Sequence, residues 1–169
     1  MLKRLRNRCQ DDITNSDWAG YQEGLEQLAV SNLPELLAFI TGPDPANCRT
    51  MAVIAFASNP PQDSSGASQA SRALISLFSE PAMRGAAMAA LIGIGTAAND
   101  EIIKSLHSEN RDVRYLAYTS LMVINRSQLE LYPELNSYKP EGDPPALSQG
   151  AQFWKRWWDR TRREQSGTP

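Results

Sequence analysis

The sequence predicts an all-α protein: about three stacked helical hairpins between an N-terminal cap helix and a Trp-rich C-terminal helix. Three observations predict it. Three segments share one helical phase, a shorter apolar helix precedes each, and no strand-like alternation appears along the chain. With 169 residues the chain is the length of one domain or one short repeat array.

Taken in order, residues 1–14 form a basic N-terminal segment, MLKRLRNRCQDD and its continuation, with no apolar run of the kind a secretory signal needs. An organelle transit sequence is the minor alternative for this Arg-rich start. NSDWAGYQEGLEQLAV at 15–30 reads as the cap helix, with Asn15 or Ser16 as N-cap and Trp18, Tyr21, Leu25 and Leu28 inward. The first hairpin pairs PELLAFIT at 34–41 with ANCRTMAVIAFA, where Cys48, Met51, Ala52, Ala55 and Phe56 fall on one stripe. A loop, ASNPPQDSSGAS at 57–68, follows.

The second hairpin pairs SRALISLF at 71–78 with PAMRGAAMAALIGIG, where Met83, Ala86, Ala87, Ala90, Leu91 and Ile94 keep the same spacings. Pro81 suits the first turn of that helix, and Gly93 and Gly95 end it. The third pairs NDEIIKSLH at 99–107 with RDVRYLAYTSLMVIN, striped by Val113, Leu116, Ala117, Ser120, Leu121 and Ile124, and Asp112 is read as its cap. In each long helix an arginine (Arg49, Arg84, Arg114) follows the first apolar residue. A cation near a helix N-terminus opposes the macrodipole, so each guanidinium is expected to bond carbonyls or acids of a neighbouring turn or repeat. The repeat domain thus covers 15–125. An irregular linker at 126–147 leads to an amphipathic helix at 148–165, expected to pack on the repeats, in which Phe153 with Trp157 and Trp154 with Trp158 are spaced four apart on one broad face.

The third hairpin resembles a HEAT repeat, especially the bacterial HEAT-like kind named after phycobilisome lyases. The residues that carry this are Gly93-Ile94-Gly95, then Asp112-Val113-Arg114 and Ala117. The likeness covers about residues 32–125, good in the third repeat, fair in the second and weak in the first; Asn47 in the first and Ala82 in the second stand where the third has Asp112. Trp154 to Trp158 is similar to the pattern that closes such domains. The resemblance implies a short right-handed α-solenoid that acts as a binding scaffold.

The chemistry of sites is bounded by what the chain lacks. One histidine, His107, and two cysteines, Cys9 and Cys48, form no zinc or catalytic cluster, and no Gly-rich phosphate loop opens a helix. No catalytic residue, metal or cofactor is expected. Cys48 lies on an apolar stripe and reads as core, Cys9 as a free exposed thiol, and a reducing cytoplasm follows as the expected location. The longest nearly unbroken apolar stretch, Ala86 to Gly95, is short for a membrane span.

Charge is unevenly placed: nine of the 17 basic residues lie at the two ends, and positions 9–154 carry eight basic residues against 17 acidic, a net charge of −9. That disfavours a broad nucleic-acid footprint and favours a basic partner. The faces of the long helices opposite their stripes carry Val53, Ile54, Met88, Ile92, Tyr115, Tyr118 and Met122, more apolar than a solvated concave face should be. The expected function is a non-catalytic protein-binding scaffold whose partner site is Met88, Arg111, Arg114, Tyr115, Tyr118 and Met122. The alternatives are a helper subunit of a phycobilin lyase and a small immunity protein neutralising a basic toxin.

Overall fold

In the computed structural model, residues 2–10, 15–61 and 63–167 are described, and all regular elements among them are helical. The chain divides into two compact units, residues 1–94 and 95–169.

The first unit holds α1 (Leu2–Gln10), α2 (Asn15–Ser31), α3 (Leu33–Ile40), α4 (Ala46–Ser58), α5 (Ser64–Ser76) and α6 (Arg84–Ile94). α4 lies between α2 and α6. Its apolar stripe explains why: Cys48, Ala52, Ala55 and Phe56 are fully buried, facing Tyr21, Leu25 and Leu28 of α2 and Ala87, Ala90 and Leu91 of α6. Paired alanines let helix axes approach closely. The side chain of Trp18 and the N-cap of α2 lie outside the described residues. Gly95 adopts a left-handed φ of 71° beyond α6, as a terminating glycine should, whereas Gly93 is an ordinary helical residue.

The three arginines do what the dipole argument requires. Arg49 is buried; its Nε donates to the Ile40 carbonyl at 2.7 Å and its two Nη atoms donate to Glu80 at 2.8 and 2.9 Å. Arg84 Nε donates to the Phe78 carbonyl at 2.8 Å. Each ties the end of one helix to the start of the next, at about 1.5–3 kcal/mol per charge-assisted bond.

Two expectations for this unit need correction. The basic N-terminal segment is helical over 2–10 and docked: Leu5 is buried, Arg6 pairs with Asp44 at 3.0 Å and lies over Phe39, and Cys9 is joined to Cys48 in a disulfide. Cys9 is therefore not a free thiol, and the inference of a reducing location loses the observation it rested on. The loop assigned to 57–68 ends early, because Asp63 accepts from Gly66 N at 2.8 Å and starts α5 at Ser64, seven residues before the expected helix.

The second unit holds α7 (Asn99–Ser105), α8 (Arg111–Ile124) and α9 (Pro144–Ser166). α7 and α8 form a hairpin fastened at its open end by buried Asn99 and Asn125. Each amide donates to the other's oxygen, at 3.0 and 3.1 Å. The stretch expected to be an irregular linker contains two short 3₁₀ turns, Arg126–Gln128 and Pro133–Ser137, and buries Leu135 and Tyr138. Asp143 caps α9, which begins four residues before position 148 and packs on α7.

Candidate functional site

α8 starts at Asn110, whose Oδ1 accepts from the backbone of Asp112 at 2.9 Å and Val113 at 3.4 Å. Asn110, not Asp112, is the cap. From there Val113, Ala117, Ser120 and Leu121 turn into the unit, as the stripe predicts. The opposite side carries Arg111 and Tyr115, both exposed, with Thr119 and Met122 half-buried and Val123 exposed. Tyr115 keeps 58% of its surface in solvent and Val123 50%, two turns apart on one face.

The remaining expected site residues have other engagements. Tyr118 is half-buried, its ring 5.3 Å from that of Tyr138 and edge-on to Trp154 at 6.5 Å, and burial pushes its hydroxyl pKa up. Tyr138 donates to the Leu106 carbonyl at 2.6 Å, satisfying the end of α7, and burial raises its pKa to about 12 against a weaker opposing effect of Arg114. Arg114 donates from Nε to Pro140 O at 2.8 Å and from Nη1 to Ser108 O and Glu109 O at 2.8 and 2.9 Å. Its guanidinium fastens the segment before α9 to the α7–α8 turn. Met88 stands half-buried on α6 in the first unit. Of the other apolar residues read onto outward faces, Val53 is fully buried and Ile54 is exposed. Val123 is the member of the α8 face that sequence reading passed over, although its spacing of eight from Tyr115 marks it.

α9 turns Trp154, Trp157 and Trp158 inward, with Trp157 edge-on to Trp154 at 5.5 Å and 5.9 Å from Trp158. Their three indole N–H groups are buried without hydrogen-bond partners. The outward side of α9 is cationic. Arg156, Arg160 and Arg162 lie over Phe153, Tyr132 and Trp158, at 4.9, 4.7 and 5.8 Å from the ring centroids.

Among the described residues no group of three or more His, Cys, Asp or Glu side chains is placed to hold a metal. His107 is exposed just past α7. One run, Arg84–Ser105, is long and apolar enough by length and composition to cross a membrane, though it is interrupted at Gly95 and almost half of its apolar window is buried in protein. Compared with protein-family models, curated proteins and solved structures, the chain matches none.

Proposed function

We propose that the chain is a non-catalytic binding module whose helical hairpins, HEAT-like in pattern, hold the outward face of α8 as a docking surface for another protein. The observation that carries this reading is Tyr115: a large aromatic kept 58% exposed on a helix whose other side is firmly packed. Arg111 stands one turn before it, and Thr119, Met122 and Val123 continue the face. Tyr and Arg beside apolar neighbours are the residue types that anchor protein interfaces. The acid excess of positions 9–154 favours a basic partner, attracted over distance and held by the apolar face.

The test is affinity purification of the tagged chain from its source cells beside Tyr115→Asp, at low and high salt, with bound proteins identified by mass spectrometry. One partner retained by the wild type and lost in the variant, with unchanged helicity, supports the reading. A partner set unaffected by the substitution contradicts it.

A further inference from the structure

The outward side of α9 differs chemically from the α8 face. Arg156, Arg160 and Arg163 stand at i, i+4 and i+7, about 6 and then about 4.5 Å apart along the helix axis. With Glu134, Phe153, Trp157 and Asp159 they line an open hollow of about 590 Å³. The negative charge of Asp159 is already taken up. Lys155 and Arg162 each reach it at 2.7 Å, and their hydrogen bonds, Lys155's foremost, hold its carboxyl below the usual range despite an opposing effect of burial. Arg163 Nε donates to the Asp159 carbonyl at 3.2 Å, and Arg156 and Arg160 share the hollow with Glu134.

Among the described residues Arg156 and Arg160 enter no ion pair. Each guanidinium lies over a ring, which holds it in place by the negative face of the π system and leaves its planar N–H edge for an acceptor. Phe153 and Trp157 make the rest of the lining apolar, and the indole N–H of Trp157 has no partner.

We propose that this hollow binds an extended acidic segment of a partner protein, with carboxylates at alternate residues paired to Arg156 and Arg160. Same-side side chains of an extended chain recur about every 6.7 Å, close to the axial separation of two arginines one turn apart. A carboxylate fits the guanidinium edge with two parallel hydrogen bonds. Single-stranded nucleic acid fits less well, because it needs open aromatic faces for its bases. Here Phe153 and Tyr132 are already covered by arginines, and all three tryptophans of α9 are buried. A bilayer surface would need those same tryptophans turned outward. None of the α8 residues proposed as a docking face lines the hollow, so this second surface stands whether or not that reading holds.

The experiment is a fluorescence-anisotropy titration of a fluorescein-labelled decapeptide of alternating Glu and Ser with the full chain. Saturable binding is expected, weakened at least about tenfold by Arg156→Ala with Arg160→Ala. Lys139→Ala, which removes an exposed charge outside the hollow, and Tyr115→Asp should leave it unchanged. Circular dichroism checks that the double variant is folded; should it unfold, Arg156→Gln and Arg160→Gln singly carry the same expectation. No saturation up to about 1 mM peptide or wild-type affinity in the arginine variants would overturn the proposal. So would tighter binding of a thymidine oligonucleotide of equal charge, or of vesicles of phosphatidylserine in phosphatidylcholine.

Discussion

Arg49 shows how much one side chain can carry in this fold: it is buried, it satisfies the Ile40 carbonyl, and it grips both oxygens of Glu80. Its hydrogen bonds chiefly, opposed by burial and helped least by its charge, hold the Glu80 carboxyl below the ordinary 4.5. A depressed folded pKa means that the unfolded chain binds the proton more readily, so this contribution to stability is complete above the unfolded value and lost as pH falls through the folded one. Glu80→Gln should therefore reduce stability at pH 7 and flatten its decline on the acid side of 4.5; a decline as steep as the wild type's in urea melts across that range would show that the pair is not responsible. Tyr115 and Tyr118 make a second residue-scale contrast. Tyr118→Ala, which removes ring contacts with Tyr138 and Trp154, should cost about 1–3 kcal/mol. Tyr115→Asp should change stability by no more than about 0.5 kcal/mol while removing partner binding. The sequence period places both tyrosines on the outer half of α8. What separates them is Tyr138, twenty residues on and supplied by an irregular segment, a contact no local pattern encodes.

At the scale of elements, the striped helices were readable because burial repeats with the helical period: α4, α6 and α8 bury most of their stripe residues, with Met51, Ala86, Ile94, Leu116 and Ile124 half-buried. α1 was not. Its sequence LKRLRNRCQ places just Leu2, Leu5 and Cys9 at helical spacing, among four basic residues, and Arg6 and Cys9 acquire their roles only from Asp44, Phe39 and Cys48 far along the chain. The early start of α5 was hidden by Ser and Gly, which read as loop until Asp63 is seen capping them. Two helical glycines test whether packing or propensity rules. Nothing lies within 4 Å of a Cβ placed on Gly93, so Gly93→Ala should stabilise by about 0.5–1 kcal/mol, the ordinary helical gain. A Cβ on Gly150 would stand 2.8 Å from Tyr138 Cδ2 and 2.9 Å from its Cα, so Gly150→Ala should destabilise by about 1–3 kcal/mol. Thermal melts with both variants moving the same way would refute this view of how α9 meets Tyr138.

For the molecule as a whole, the disulfide is the feature that composition could not reveal, since two cysteines carry no pairing signal until α1 is seen docked against α2 and α3 with Cys9 at Cys48 of α4. It closes a loop across a sequence separation of 39, which by loop-closure entropy constrains the unfolded chain by up to about 4 kcal/mol. Cys9→Ser should lower the urea midpoint and make it insensitive to dithiothreitol, whereas the wild type should fall to the same midpoint only when reduced. Of the residues expected on a partner surface, Tyr115 and Arg111 are exposed and Met122 half-buried, as the helical pattern implies, while Arg114 and Tyr118 are drawn into bonds and ring contacts by residues 106–154. The most direct measurement of the proposed function is photo-crosslinking in source cells from a benzoyl-phenylalanine at position 115, beside the same probe at Leu131, which is also exposed. One dominant adduct from 115 that is absent from 131 and displaced by excess unlabelled chain is the result expected of a docking face. No adduct at 115, or the same adducts from both positions, would show that the α8 face is not where this protein meets its partner.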